Sequence, residues 1–187
     1  MFVAVEIDDE IRRVVARTIG ELQRGLEGSL RARWVPPANM HLTVRFIGHV
    51  ANDRASSVLD ALRADVPVSA FDLATGHCGA FPPSGLPRVV WMGIDEGSAP
   101  LKALHDEFNR RLRPLGFPPE DRPYTAHLTL ARVQDARKGS TAEIRRTIAA
   151  LRPPAVRCHV PHATVFESRL SPKGATYWPL LRLPLRS

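Results

Sequence analysis

Apolar and polar residues follow two periods along the chain, one typical of strands and one typical of helices. Residues 2–7 (FVAVEI) are short and rich in β-formers, which predicts an opening strand. Residues 9–26 bring apolar side chains to one face at steps of three and four, which predicts an amphipathic helix. That face consists of Ile11, Val14, Val15, Ile19, Leu22 and Leu26. The same criteria predict further helices near 53–64, 100–113 and 141–151, and further strands near 66–73, 88–95, 155–166 and 175–183.

The order of the elements repeats: strand, helix, strand beginning with histidine, helix, strand. The tetrapeptide HLTV at 41–44 recurs as HLTL at 127–130, 86 positions later. Independently, FVAVEID at 2–8 aligns with VVWMGID at 89–95 at an offset of 87. Two copies of so long a unit do not make a solenoid, which needs shorter and more numerous repeats. The matching offsets therefore indicate an internal duplication.

The duplication predicts an α+β fold of two lobes related by a pseudo-twofold axis. We expect one two-lobed domain over 1–187, with repeat halves at about 1–78 and 88–168. Each lobe should have a mainly antiparallel sheet with helices on its outer face. The active site should lie in the cleft between the lobes.

Bulk composition is typical of a globular protein in water. The 187 residues are 44% hydrophobic and 24% charged, and no run approaches the roughly 18 apolar residues of a membrane span. The opening MFVAVEIDDE has too short an apolar run for a secretory signal. We expect a cytoplasmic monomer that does not associate with membranes.

The net charge of +7 comes almost entirely from arginine, because the chain has three lysines, Lys102, Lys138 and Lys173. A basic chain suits a polyanion such as RNA. A genome that favours arginine codons would produce the same balance, so charge alone does not separate the two interpretations.

The repeated tetrapeptide presents one imidazole and one hydroxyl on the same side of each strand. Side chains alternate along a strand with a period of two, so His41, Thr43 and Arg45 share a face. In the second copy, His127 and Thr129 share a face. The opposite face is apolar in both copies: Leu42, Val44 and Phe46 in the first, Leu128 and Leu130 in the second. A twofold relation would bring both polar faces around one small group.

Two histidines and two threonines suit acid–base chemistry on a phosphodiester. Imidazole, with an unperturbed pKa of about 6.5, can accept or donate a proton near neutrality. One neutral histidine can take a proton from water while a second, protonated one delivers a proton to the leaving oxygen. Threonine hydroxyls can stabilise the charge that develops on non-bridging oxygens. A cyclic phosphate is the simplest such substrate, because its ring keeps the leaving oxygen close.

A metal site and a disulfide are the competing interpretations, and the spacing favours neither. Neither copy has an Asp, Glu or second His at i+2 or i+4 of its histidine, whereas zinc needs three or four good ligands. Cys78 and Cys158 lack a CxxC pairing and are predicted to be buried small hydrophobes. The remaining histidines are predicted to be surface or packing residues: His49, His77, His105, His159 and His162.

The paired H-x-[ST]-x motifs resemble those of the two-histidine (2H) phosphoesterase superfamily, in particular its RNA 2',3'-cyclic phosphodiesterase branch, also known as the bacterial 2'-5' RNA ligase family. The resemblance covers nearly the whole chain and includes HLTVRFIG, GAFPPSGLPRVVWMGI and LGFPPEDRPYTAHLTLAR. It implies that His41 protonates the leaving oxygen, that His127 activates water, and that Thr43 and Thr129 hold the phosphate. The implied product is a terminal 2'-phosphate, with no metal or organic cofactor. A pseudo-symmetric pair could exchange the donor and acceptor roles.

Two arginines are further candidates for phosphate binding. Arg45 has the parity of the histidine face, and a guanidinium fits a phosphate well. Arg132 recurs in the family's HLTLAR, yet strict alternation points it away, so the strand must twist or end there. Either arginine could instead be a solvated edge charge. Phe46 and Tyr124 could stack on a base, although parity assigns Phe46 to the core.

Two other functions remain open at this point. The same acid–base pair could join RNA ends through a 2'-5' linkage, because it serves both directions of the reaction. A catalytically idle module could also use the cleft to hold RNA ends, although Arg or Lys would bind phosphate better than histidine does. The expected partner in every case is RNA ending in a 2',3'-cyclic phosphate, or a small cyclic nucleotide.

Overall fold

The structure is a computed structural model that describes residues 1–120, 122–172 and 174–187. Over these residues the chain forms four α-helices and nine β-strands. The helices are α1 (Asp9–Gly25), α2 (Asn52–Arg63), α3 (Ser98–Leu112) and α4 (Thr141–Ala150). The strands are β1 (Phe2–Glu6), β2 (Leu30–Trp34), β3 (His41–Phe46), β4 (Phe71–Phe81), β5 (Val89–Glu96), β6 (His127–Ala136), β7 (Arg157–Val160), β8 (His162–Ser171) and β9 (Gly174–Pro184).

The described strands form one antiparallel sheet that curls into two lobes. Their order is β7-β4-β5-β6-β3-β1-β8-β9, and β2 pairs with β6 beside this path. At the centre, β3 meets β6 through the pair of Leu42 and Leu128. Strands β3, β1, β8 and β9 form the first lobe, and β6, β5, β4, β7 and β2 form the second. The predicted α+β fold is confirmed.

The two lobes exchange a strand. β4 lies in the first copy of the repeat but pairs with β5, which belongs to the second. Conversely, β8 lies in the second copy but pairs with β1. The halves predicted at about 1–78 and 88–168 therefore describe the duplication in the sequence and not the boundaries of the lobes. Each lobe needs strands from both halves to complete its sheet.

The helices cover the apolar face of the sheet. α4 packs on β4 and against α1, while α3 packs on β3 and against α2. The predicted apolar face of α1 is buried, and Leu42 and Leu128 belong to the same hydrophobic core. Because neighbouring side chains in a strand point to opposite faces, His41 and His127 lie on the other side of the sheet. The packing of the helices thus decides which face is left for chemistry.

Three strands differ from the predicted pattern. β2, Leu30–Trp34, is not among the strands predicted from the sequence. β4 begins at Phe71, so most of the strand predicted at 66–73 precedes it. The strand predicted at 155–166 is two strands separated by Pro161, which has no N–H to donate to a sheet ladder.

Both cysteines are buried and free, as predicted. Burial raises the pKa of the Cys78 thiol to about 11 and also raises the pKa of Cys158. Over the described ranges, no helix combines the length and apolar character that crossing a membrane requires.

A buried arginine joins α3 to the end of α2. The guanidinium of Arg111 donates hydrogen bonds to the carbonyls of Leu62, Ala64 and Asp65, at 2.6 to 2.8 Å. It also donates to the Glu107 carboxylate at 2.7 Å. The last carbonyls of a helix have no partner within the helix, so Arg111 supplies donors to the buried carbonyl of Leu62 and to the partly buried carbonyls of Ala64 and Asp65.

We predict that Arg111→Met lowers the free energy of unfolding by about 2–3 kcal/mol, since it leaves one buried and two partly buried carbonyls without their donor. Urea denaturation followed by circular dichroism measures the change. Arg110→Met is the matched control, because Arg110 pairs with the same Glu107 from an exposed position and should matter far less. Equal losses in the two variants would contradict the role given to Arg111.

Candidate active site

A β-bulge interrupts each histidine strand at the same place. Between β1 and β3, Val3 pairs with Arg45 and Ala4 pairs with Thr43, so Val44 is an extra residue. Between β5 and β6, Ala131 and Thr129 pair with two residues that are consecutive in β5. Leu130, which lies between them in β6, is therefore the extra residue. A bulge places two residues opposite one and shifts the alternation of side chains beyond it. The two bulges are equivalent positions of the repeat.

The first bulge reverses the predicted orientations of two residues. Arg45 is only 4% exposed and points into the protein, whereas Phe46 is 50% exposed and faces the side of the histidines. The expectation that Arg45 faces the cleft is therefore wrong, and so is the assignment of Phe46 to the core. The guanidinium of Arg45 donates to the carbonyls of Phe46 and Pro118, which makes it a structural support for the loop before the second motif.

The second bulge brings Arg132 to the histidine side. Ala131, at the position equivalent to Arg45, is fully buried, and Arg132, equivalent to Phe46, is exposed. The bulge at Leu130 resolves the conflict between strict alternation and a cleft-facing Arg132. At equivalent places, one lobe thus presents a cation and the other an aromatic ring.

Tyr124 does not line the cleft. Its ring stacks on His105 with the ring centres 4.6 Å apart, and its hydroxyl donates to the Thr43 carbonyl at 3.3 Å. Burial raises the pKa of its phenol. The structure gives Tyr124 a packing role behind β3, where it cannot stack on a base.

The central cleft contains both histidines, both threonines and Arg132, and its volume is about 1420 Å³. The pairing of Leu42 with Leu128 sets its geometry. In an antiparallel register, this pair brings His41 opposite Thr129 and Thr43 opposite His127. The two predicted polar faces therefore meet in one space.

Each histidine is oriented by a backbone carbonyl two residues before it. Nδ1 of His41 lies 2.9 Å from the Asn39 carbonyl, and Nδ1 of His127 lies 2.7 Å from the Thr125 carbonyl. A carbonyl oxygen can only accept, so Nδ1 carries the hydrogen in both rings. Nε2 of each ring is left to exchange protons in the cleft.

Aromatic side chains enclose the two imidazoles. Phe2 stacks on His41 with ring centres 4.8 Å apart, and Tyr177 meets the same ring edge-on at 5.0 Å. Phe81 meets His127 edge-on at 5.2 Å. These rings were not predicted as site residues from the sequence. Phe81 lies on β4 and Tyr177 on β9, and the places of these strands depend on pairings with distant parts of the chain.

Burial lowers the pKa of both catalytic candidates. For His41, burial is the main cause, and the hydrogen bond to Asn39 opposes it. For His127, burial again dominates, the hydrogen bond to Thr125 opposes it, and the charge of Arg132 lowers its pKa further. A nearby cation thus distinguishes the two otherwise symmetric rings.

Most of the other histidines have structural surroundings. Nδ1–H of buried His105 donates to the carbonyl of Val44 at 2.7 Å, which supports the first bulge. His77, His159 and His162 pair with carboxylates outside the central cleft. His49 is exposed at the rim of the cleft. Across the described residues, His, Cys, Asp and Glu side chains form no group of three that could hold a metal ion.

Comparison with known proteins assigns the chain to a class of enzymes whose chemistry agrees with the acid–base groups in the cleft. The family model described as LigT-like phosphoesterase matches residues 10–91 and 93–177. These two segments cover most of the chain and each contains one histidine motif. The chain belongs to the LigT-like phosphoesterase family.

Individual relatives agree with the family. An RNA 2',3'-cyclic phosphodiesterase of Archaeoglobus fulgidus is 37% identical over 134 residues, 72% of each chain. One of Thermotoga maritima is 28% identical over 94% of this chain and 90% of its own. The crystal structure of E. coli LigT complexed with 3'-AMP superposes with a TM-score of 0.76, at 25% identity over 100% and 97% of the two chains. A Thermus thermophilus protein superposes with a TM-score of 0.78, at 24% identity over 99% and 97%, which bears on the fold alone.

We predict that Arg132→Gln raises the pKa of His127 and leaves that of His41 unchanged. The physical reason is that a cation disfavours a second positive charge on the nearby ring. NMR titration of the imidazole Cε1 protons measures both values in one experiment. A parallel rise at His41, or no rise at His127, would contradict the asymmetry described here.

Proposed function

We propose that the chain hydrolyses the 2',3'-cyclic phosphate at the end of RNA, without a metal, to leave a terminal 2'-phosphate. The observation that supports this most directly is the pair of imidazoles in one cleft, each with Nδ1–H held by a carbonyl and Nε2 free. The names of the relatives supply the substrate class, since they are called RNA 2',3'-cyclic phosphodiesterases.

His127 is the base in this mechanism. Its Nε2 takes a proton from a water molecule as the water oxygen bonds to phosphorus. The base must be neutral before the reaction, and both burial and Arg132 favour the neutral form of His127. This electrostatic difference is the reason to give the base role to His127 and not to its symmetric partner.

His41 is the acid. As the bond between phosphorus and O3' breaks, Nε2–H of His41 delivers a proton to O3', which leaves as a hydroxyl. His127 gains one proton from water and His41 gives one proton up, so the number of protons on the two rings is unchanged. Proton exchange with solvent then returns each ring to its starting state after turnover. The stacked Phe2 and edge-on Tyr177 hold the His41 ring in place during the transfer.

Thr43 and Thr129 stabilise the phosphoryl group between the two rings. Each hydroxyl sits opposite the histidine of the other strand and can donate to a non-bridging oxygen. Arg132 supplies a guanidinium at the same cleft, where it offsets the charge that accumulates on these oxygens. Donors that are fixed before the reaction cost no rearrangement during it.

We predict that His41→Ala or His127→Ala lowers kcat about 10²- to 10⁴-fold, as expected for loss of a general acid or base. The assay follows the conversion of adenosine 2',3'-cyclic phosphate to adenosine 2'-phosphate by chromatography. His159→Ala is the control, because His159 is exposed on the edge strand β7 and pairs with Asp72. Full activity in either cleft variant would refute the mechanism, and so would loss of wild-type activity in a chelator.

We predict a bell-shaped dependence of kcat/KM on pH, with both limbs below the ordinary histidine pKa of about 6.5. Activity should fall at low pH as His127 becomes protonated, and at higher pH as His41 loses its proton. Burial lowers both pKa values, so both limbs shift to the acid side. Steady-state rates with adenosine 2',3'-cyclic phosphate measure the profile, and a descending limb above pH 7 would contradict the assignment.

The direction of the reaction is tested by its product. An RNA ending in a 2',3'-cyclic phosphate is incubated alone and with a second RNA ending in a 5'-hydroxyl. Hydrolysis yields a 2'-phosphate in both mixtures at the same rate, whereas joining yields a longer strand in the second only. Predominant joining would replace the hydrolytic proposal.

A further inference from the structure

Two arginines from different strands lie side by side in the wall of the cleft. Arg33 of β2 is the direct cross-strand partner of Arg132 of β6, and both line the cleft together with Val89. Like charges directly opposite each other destabilise a sheet. A cost of this kind at the surface of a substrate cleft indicates that both guanidinium groups serve an anionic ligand.

Neither guanidinium is neutralised within the protein as far as the structure describes it. Over residues 1–120, 122–172 and 174–187, no carboxylate forms an ion pair with Arg33 or Arg132 (compare the paired arginines Arg12, Arg110 and Arg157). The guanidinium of Arg33 extends towards the β8–β9 hairpin of the other lobe. A Cβ on Gly174 would lie 2.9 Å from its Nη2, which shows that the guanidinium lies directly against the hairpin.

The reacting phosphate does not need a second arginine. A cyclic phosphate diester carries one negative charge and two non-bridging oxygens, for which Thr43, Thr129 and Arg132 already supply donors. Arg33 reaches the hairpin instead, next to Ala175, whose carbonyl accepts from Asn39 behind His41. The cleft of about 1420 Å³ exceeds the 300–1,000 Å³ of a usual small-molecule pocket.

We propose that Arg33 binds the internucleotide phosphate next to the terminal nucleotide, and that the enzyme therefore prefers oligonucleotides to mononucleotides. This inference rests on the proposed function. It assigns Arg132 to the phosphate that reacts and Arg33 to the neighbouring diester of the same RNA strand. Arg33 thereby determines substrate length and takes no part in the chemistry.

The test compares adenosine 2',3'-cyclic phosphate with a diadenosine dinucleotide ending in the same cyclic phosphate. Arg33→Gln should lower kcat/KM for the dinucleotide about tenfold, through KM, and leave the mononucleotide unchanged. The dependence of dinucleotide KM on salt should also weaken, because the variant loses one screened contact between opposite charges.

Arg31→Gln is the matched control. Arg31 is an exposed arginine of the same strand, but its cross-strand partner is Asp135 and it lies outside the cleft. This variant should keep the wild-type preference for the dinucleotide. If it lost the preference as Arg33→Gln does, general surface charge would explain the effect and the proposal would fail.

A dinucleotide with an uncharged methylphosphonate linkage tests the same contact from the substrate side. The wild type should lose about tenfold in kcat/KM on it, and Arg33→Gln should lose nothing further. An equal loss on mononucleotide and dinucleotide, or no loss on the dinucleotide, would overturn the proposal. Failure of the wild type to turn over either the mononucleotide or the dinucleotide would instead refute the proposed function, so the two failures are distinguishable.

Discussion

The site depends on one irregularity that occurs twice, the extra residue at Val44 and at Leu130. Before each bulge, strict alternation points histidine and threonine towards the cleft and leucine towards the core. Beyond it the alternation reverses, so the third cleft-facing position is Phe46 in one lobe and Arg132 in the other. A regular strand would have placed a guanidinium in the cleft from the first lobe only. The bulges therefore decide on which side of the cleft the positive charge lies.

The positive charge of Arg132 also breaks the symmetry between the imidazoles of His41 and His127. Both rings are held in the same way, by a carbonyl two residues earlier, and burial lowers both pKa values. Their surroundings differ, with Phe2 and Tyr177 around His41 and a cation near His127. Equivalent residues can therefore perform opposite proton transfers, because the pKa of each depends on its neighbours and not on its place in the repeat.

Sequence reasoning predicted the fold class correctly. It also predicted that His41, Thr43, His127 and Thr129 face one cleft, which they do, since a period of two and a repeated tetrapeptide are local signals. It failed where position depends on distant strands. The orientations predicted for Arg45 and Phe46 were the reverse of those observed. The reason is that a bulge is defined by the register with β1, which the sequence of β3 alone does not contain. Phe81 was missed for a related reason, because it lies on β4, which pairs with β5 in the opposite lobe.

The strand exchange has a consequence for the origin of the molecule. One copy of the repeated unit would end in a strand whose proper neighbour lies in another copy, leaving its own sheet incomplete and an edge unpaired. Such a unit could close its sheets only as a swapped homodimer, with two identical imidazoles facing each other across the dyad. Fusion of two copies into one polypeptide would allow each half to vary alone, so that a symmetric pair of imidazoles could become a distinct proton donor and acceptor.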